Sequence, residues 1–575
     1  MTAPGPIAAA ALRVADSAAH RASPPRTARV RSPVPWLVAA ACVPIVFTLA
    51  RSFAAIRDIA YWDELDTALL LMVRLAPMDS LNQVLALIFE VGNEHRTVTS
   101  RLLYAVSYWL GGTVDFRLMG YIGVAFICGL CALLVHAAAT PARRVRMFVL
   151  LAALLFQLQH YESFQWAGSS IDHFQIVLLA GASVWGLARG TAGGLALGTA
   201  AAVVANFTLA HGLVLWPVGA LLLATRRRWR DCAIWSGAAV LAVAVFLYGF
   251  DVNPGHGIGF AGAGRITVYW LTLLGAPPAL GSAALAPWFG AALLILVAAL
   301  AAGGAWQKEP VAAPLVGWAI GSLALVAFGR AELSQGHVYS RYYVLGALAW
   351  ALVLFIALER HHDPARPHRA LLRALPFLAA FNLAADFAFA HDARSWIICR
   401  DSAAERYVRF GRDGTGPFSL HPDSAHATRL LRQVERAGIY RMPESSVERR
   451  FKLVAPAASP AYFVDRILVD EHLVVIEGWA ALADAKPVPG QVHLVLKSER
   501  SEFVFTALPV PRPDVARATG KDWRDAGFRF QRRRWMLPAE DFRIGFLFTT
   551  PSGAQSVMTA HRLDLTGPGV GILAK

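Results

Sequence analysis

The chain has 575 residues, 56% hydrophobic and only 16% charged, against about 25% charged in a soluble globular protein. That balance excludes an ordinary soluble enzyme and points to a polytopic membrane protein. The formal net charge of +15 sits mainly on arginines in short loops between apolar runs, which is the positive-inside pattern, so nucleic acid is set aside as a partner.

Residues 1–33, rich in Ala, Pro, Ser and Arg, read as a disordered cytoplasmic tail. The run 35–55 is long enough to span a bilayer and lacks a small-residue cleavage site, so it is expected to stay as the first helix. The basic tail would keep its start inside the cell. Next comes Arg57-Asp58-Ile59-Ala60-Tyr61-Trp62-Asp63-Glu64-Leu65-Asp66, with four carboxylates in nine residues beside two large aromatics. Carboxylates near hydrocarbon are costly and mark function by default. The region 58–115 is too polar for one span. It is expected to be an external loop with one or two surface helices, at 67–75 and 81–89, and the polar cluster Asn93-Glu94-His95-Arg96.

Further spans are expected at 116–139, 147–159, 171–188, 192–206, 209–224, 232–250, 284–302, 314–329, 342–358 and 371–389, with a half-inserted piece at 266–274 closed by Pro277-Pro278. That makes about eleven spans on a criterion of about 20 residues each. Strongly basic loops fall inside, and mixed clusters of acids, His, Asn and Trp fall outside. Five cysteines (Cys42, Cys128, Cys131, Cys232, Cys399) form no recognisable framework. Cys128 and Cys131 are spaced C-x-x-C but have no second ligand pair, so they read as helix packing.

From about Asp392 the composition turns soluble. The stretch 392–460 reads as a helical linker whose helix, 423–437, has Leu430, Leu431 and Val434 on one face. Residues 461–575 hold short β-rich runs (467–469, 473–476, 492–496, 503–505, 542–548) separated by turn signals such as Pro551-Ser552-Gly553. They predict a β-sandwich of roughly a hundred residues outside the membrane. The expected fold is therefore mainly α: a multi-span membrane domain over 34–391 with a C-terminal β-sandwich.

Asp63 and Glu64 are candidates for a general base or a metal-holding pair aimed at an acceptor hydroxyl, since moving a sugar from a lipid phosphate needs that hydroxyl deprotonated as the phosphate leaves. The bland alternative is a solvated loop whose acids favour a helix first turn, which suits Asp66. Arg96 and His95 could hold the phosphate, with Glu94 as a second acid; alternatively they are interfacial anchors. Glu162 and Trp166, in Tyr161-Glu162-Ser163-Phe164-Gln165-Trp166, match a sugar site, although an aromatic belt explains the rings equally well. Arg330, His337 and Arg341 lie at an expected outer helix end against the positive-inside bias. The arginines suit either a lipid phosphate or a salt bridge, with Glu332 or the first-loop acids, that ties helices together. His211, Asp251 and His256 read as structural.

The many spans, the large first external loop and Trp62-Asp63-Glu64 just after the first span resemble the GT-C superfamily of polytopic glycosyltransferases, over about residues 35–390. The resemblance implies a polyprenyl-phosphate-linked sugar as donor, a glycan or lipid acceptor, inverting transfer and a bacterial inner-membrane location. It carries the catalytic acid onto Asp63, with Glu64 next. No second acidic pair at metal spacing follows in a later loop, so no cofactor is assigned and a divalent metal stays open. Ile476-Glu477-Gly478-Trp479-Ala480, Arg512-Pro513-Asp514-Val515-Ala516 and Ala526-Gly527-Phe528 look similar to a β-domain attached to bacterial glycan enzymes. The rival readings are a transporter or flippase of a lipid-linked glycan, which would need a polar path and often internal repeats, and a non-enzymatic membrane scaffold.

Overall fold

The computed structural model describes residues 33–92, 96–249, 262–360, 368–414, 419–443, 454–457, 459–489, 491–534, 537–550, 553–567 and 571–572. The expected tail and the pieces Asn93-Glu94-His95 and Asp251–His256 lie outside these residues.

Seven described helices are long and apolar enough to cross a membrane: Val34–Ala55, Phe116–Ala137, Ala167–Ala188, Trp229–Leu247, Ala312–Arg330, Ser340–Arg360 and Arg369–Val408. Three further apolar helices, Ala192–Asn206, Ala210–Thr225 and Ala286–Ala302, at three of the expected spans, are shorter. The expected span at 147–159 is the helix Pro141–Leu155, whose first turns carry Arg143, Arg144 and Arg146. The helices fit a multi-pass membrane protein. Their outward faces carry large apolar side chains such as Phe387, 88% exposed, which a lipid surround would cover.

Two expectations about helix ends change. Pro277 and Pro278 do not end a half-helix at 274: the helix runs Ala263–Ala279 and stops at Leu280, whose φ of 50° breaks the helical path. It forms a hairpin with Ala286–Ala302, and Gly275 and Gly290 bring the two backbones together where a Cβ would collide with the facing main chain. The last apolar run also does not stop at 389. It continues as one helix, Arg369–Phe410, carrying Trp396 and Arg400 well beyond the apolar segment.

At one end of the bundle, basic side chains of the helix Pro141–Leu155 meet acids just before Ala312–Arg330 and at the end of Ser340–Arg360. There Arg143 pairs with Glu309 (2.5 Å) and Glu359 (3.4 Å), and the buried Arg146 pairs with Glu359 (2.5 Å). The opposite end collects the polar residues taken up below.

Region 58–115 holds a π-helix, Leu65–Leu70, and the helices Leu71–Leu75, Leu81–Ile88 and Val98–Gly111. Leu81, Trp109 and Leu110 are exposed on them. The segment expected to be a linker is packed rather than loose. Its helix Ser424–Arg436 buries Ala427, Leu430, Leu431 and Val434 in a core shared with Tyr61, Leu65, Leu69 and Tyr104.

The C-terminal strands are β1 Val454–Pro456, β2 Pro460–Val469, β3 Leu473–Leu482, β4 Val492–Lys497, β5 Glu502–Thr506, β6 Leu508–Val510, β7 Gly527–Arg533, β8 Asp541–Thr550, β9 Gly553–Asp564 and β10 Gly571–Ile572. They form two five-stranded sheets, in the orders β1-β9-β8-β4-β5 and β10-β2-β3-β7-β6. Alternate residues of β8 (Phe542, Ile544, Phe546) meet Val474 and Ile476 of β3 in one core, the two-layer packing that period-two patterning imposes. Cys399 of the long helix joins that core, and Arg406 approaches Glu540 at 3.6 Å.

Candidate functional site

The first helix ends at Ile56, where the backbone turns extended. The next residues make no regular structure and take their hydrogen bonds from distant segments. Asp58 accepts from the Phe116 amide (2.8 Å), the Tyr440 hydroxyl bridges Asp58 O (3.0 Å) and the Ala60 amide (3.2 Å), and the Trp62 amide donates to Leu420 O (2.6 Å). Trp62 sits at φ 51°, a conformation that a bulky residue holds only when its surroundings over-determine it. Its ring lies among those of Tyr61, Trp166 and Trp396, with centroids 5.7–6.5 Å away. That turn aims the two following carboxyls differently: Asp63 is exposed, whereas Glu64 is 1% exposed. The π-helix begins at the next residue, a local irregularity frequent at functional sites.

Glu64 is an anchor. Its Oε2 accepts the Tyr61 amide (2.9 Å) and its Oε1 accepts the Gly168 amide (2.5 Å), in the first turn of the helix Ala167–Ala188. Helix starts leave amides unpaired, and an acid there is favoured. Burial pushes the Glu64 carboxyl up to about 8, against the opposing effect of the two amides.

Beside Glu64 lies an open cavity with a volume of about 150 Å³. One wall is Asp63, Glu64 and Thr67. A second is Ser100 and Tyr104 on helix Val98–Gly111, with Asp172 and His173 on the facing helix. The Ser100 hydroxyl donates to Asp172. His211 adds an imidazole, and Arg330, Arg341 and Tyr342 supply a cationic, aromatic wall. Asp63 is close enough to act electrostatically on Arg341, Asp172 and Tyr104. Arg341 is held from behind: Glu162 Oε2 accepts its backbone N–H at 3.0 Å and faces its guanidinium at 3.8 Å. The guanidinium also lies over Tyr339 (4.8 Å), Tyr342 (5.5 Å) and Trp166 (5.9 Å).

Of the sequence-derived candidates, Asp63, Glu64, Trp166, Arg330 and Arg341 come together in this cavity. Glu162 stands one layer back, on Arg341. Arg96 is elsewhere: its guanidinium donates to the carbonyls of Phe246 (2.7 Å), Phe89 and Tyr248, tying the first loop to the end of helix Trp229–Leu247. His337 lies on a neighbouring cavity, with its carbonyl accepting the Tyr269 hydroxyl at 2.9 Å. Glu94 and His95 are outside the described residues. Among the described residues, no group of three or more His, Cys, Asp or Glu side chains is placed to hold a metal ion.

Sequence reasoning missed Ser100, Tyr104, Asp172 and His173 and set His211 aside. The available signal was an Asp-His pair two residues into an apolar run, where an ionisable group is costly. Trp396 and Arg400 were missed because the long helix outlasts its apolar stretch. Arg400 donates to Ala55 O (2.7 Å) and to Gln165 O, binding the first helix to the segment before Trp166.

Fold and site together are those of a mainly helical protein with seven described helices long and apolar enough to cross a membrane and a charged cavity beside Asp63 and Arg341. No protein-family model, curated protein or solved structure matches the chain.

Proposed function

We propose that the protein is a membrane glycosyltransferase that moves a sugar from a polyprenyl-phosphate donor to a hydroxyl of a cell-envelope glycan or lipid, on the outer face of a bacterial inner membrane. The observation that carries this reading is that a solvent-facing carboxylate, Asp63, shares one cavity with two guanidinium groups, Arg330 and Arg341. Asp63 takes the proton of the acceptor hydroxyl as its oxygen attacks the anomeric carbon. The bond from that carbon to the phosphate oxygen breaks, and the polyprenyl phosphate leaves against Arg330 and Arg341, whose charge is already in position. Attack opposite the leaving group inverts the anomeric centre. Glu64 is buried with its oxygens on two amides and serves as the anchor that aims Asp63 rather than as the base. Trp166 and Tyr342, both buried, brace the Arg341 guanidinium against the cavity.

A transporter would instead need charged groups along a path through the bundle. The cavity's charged residues all come from helix ends on one side.

The test is turnover of a panel of polyprenyl-phosphate sugars by the purified protein, following release of the lipid phosphate. Wild type should cleave at least one donor, and Asp63→Asn should lower the rate by about 10²–10⁴-fold, the usual worth of a general base, at unchanged expression. A fully active Asp63→Asn removes Asp63 from the mechanism.

A further inference from the structure

The wall that carries Arg341 has a second side. Along residues 340–343, Arg341 and Tyr342 face the first cavity, while Ser340 and Tyr343 line a second. The segment 161–166 behaves alike, with Trp166 on the first cavity and Tyr161 on the second. The partition is firmly bonded. Ser340 Oγ donates to Gln159 O (2.7 Å) and accepts the Glu162 amide (3.2 Å), and Glu162 in turn holds Arg341. The second cavity has a volume of about 360 Å³, within the usual range of ligand sites.

Its chemistry differs from that of the first. The polar groups on it include Tyr161, Tyr343, His337 and Asp392, and no Arg or Lys is among its described lining residues. A phosphate would meet the Asp392 carboxylate without a cation to hold it. A hydrocarbon tail would strip water from the phenols, imidazole and carboxylate without replacing their hydrogen bonds. The rest of the lining is largely small, with four alanines and two glycines that leave room beside the two phenol rings. Tyr343 stands edge-on to Phe389 at 5.4 Å, and Tyr161 sits 6.1 Å from Trp396, so both rings are braced. Braced rings with a carboxylate and an imidazole suit a neutral polyol, with C–H faces on the rings and hydroxyls on the polar groups.

We infer that this second cavity binds an uncharged carbohydrate unit, the part of a glycan acceptor that lies behind the hydroxyl presented in the first cavity. The acceptor assignment rests on the transferase reading; the sugar-binding assignment rests on the cavity alone.

The experiment is saturation-transfer NMR on the full chain in a detergent without a sugar headgroup. The probes are α-1,4-glucan, β-1,4-linked N-acetylglucosamine and α-1,6-mannan hexasaccharides, with 1,8-octanediol as an apolar control. At least one hexasaccharide should receive saturation, falling five-fold or more in His337→Ala and in Tyr343→Phe and unchanged in Asp63→Asn. The inference is overturned if no hexasaccharide is saturated, if both variants keep the full signal, or if octanediol alone is saturated. If a lipid-phosphate donor is cleaved but no hexasaccharide binds, this inference fails and the transferase reading stands. If hexasaccharides bind through His337 and Tyr343 but no donor is ever cleaved, the sugar site stands and the acceptor assignment falls with the transferase.

Discussion

Glu64 Oε1 accepts the amide hydrogen of Gly168 at 2.5 Å across 104 residues of chain. Through this bond the stretch after the first helix is fastened to the start of the helix Ala167–Ala188, so Asp63 is presented from a fixed base. The bond has a steric condition. A Cβ on Gly168 would lie 3.1 Å from Glu64 Cγ and 3.3 Å from Oε1. Gly168→Ala should therefore push the carboxyl off its amides and cost about 1–3 kcal/mol, the usual range for overpacking. At pH 6.5, where the folded chain keeps the Glu64 proton, the carboxyl's hydroxyl oxygen can still accept one of the two N–H groups. Glu64→Gln keeps the shape but presents an NH₂, which cannot, and at that pH should cost about 1–3 kcal/mol for an unsatisfied buried group. Thermal unfolding in detergent measures both. A Glu64→Gln protein as stable as wild type would falsify the anchor role.

The same carboxyl makes stability depend on pH. Its value rises from 4.5 to about 8 in the fold, chiefly by burial. The folded chain then keeps a proton that the unfolded chain releases, so stability falls as pH rises from about 4.5 to about 8 and levels off above. Asp58 and Asp413 are raised by burial to about 6 and act in the same direction at lower pH. From pH 6.5 to 8.5 the titrations of those two acids are largely past, but the His421 imidazole, raised by Asp66, also loses its proton on that side, so Glu64 is read from the difference between wild type and Glu64→Gln. Wild type should lose melting temperature across that interval, and Glu64→Gln should show a shallower slope. Parallel slopes would mean that some other group carries the effect.

How much of this was legible from sequence depends on whether a feature is local. The first helix and the turn to soluble composition near residue 392 follow from local apolar content. The β-rich runs follow from period two, and all five fall inside observed strands. The cluster Tyr61–Glu64 was legible because acids beside aromatics and hydrocarbon are rare. The division of labour between Asp63 and Glu64 was not, because it follows from the left-handed turn at Trp62, which Leu420 secures from 358 residues away. Arg96 looked like a phosphate ligand because a sequence does not show carbonyls. Three of them, from Phe89, Phe246 and Tyr248, already use its donors. The count of about eleven spans is not confirmed: seven described helices are long and apolar enough to cross a membrane and three apolar ones are shorter, a difference that apolar content alone does not show.

Glu162 is expected to act through Arg341 rather than on substrate. The pair is largely buried, with side-chain exposures of 5% and 16%, and Glu162 also accepts the Arg341 backbone N–H. Glu162→Gln removes the charge while keeping an acceptor, so the loss should be about 1.5–3 kcal/mol, the range of a charge-assisted hydrogen bond. The stacked rings should still retain the guanidinium loosely. In the transfer assay this predicts a raised donor KM with a smaller change in kcat. Arg341→Lys loses the planar stacking on Tyr339 and Tyr342 and should be the more severe change. If Glu162→Gln leaves both melting temperature and KM unchanged, Glu162 does not hold Arg341 in the working protein.

Asp66 is the part of the acidic stretch that faces away from the cavity. It accepts from His426 Nε2 at 2.8 Å and lies 3.3 Å from His421 Nε2, latching the segment around helix Ser424–Arg436 onto the π-helix. The His421 contact holds the Asp66 carboxyl below the usual carboxylate range, and Asp66 in turn raises the His421 imidazole. The imidazole's contribution is complete below its ordinary value of 6.5 and is lost as pH rises through its raised one; the carboxylate's is lost only as pH falls through its lowered one. The latch should therefore be tightest in mildly acidic solution. Asp66 is 45% exposed, so solvent screening keeps the effect near about 0.3–1 kcal/mol, or roughly two- to five-fold in an opening equilibrium. Tyr407, which donates to Glu435 at 2.9 Å, and Arg432, which donates to Gly411 O at 3.0 Å, hold the same helix independently. The helix should thus loosen rather than detach. Hydrogen exchange of residues 424–436, corrected for intrinsic rates, should be two- to five-fold faster at pH 8.5 than at pH 6, and fast at both in Asp66→Asn. Equal protection at the two pH values in wild type would show that the hydrophobic face of Leu430, Leu431 and Val434 holds the helix without help from the histidines.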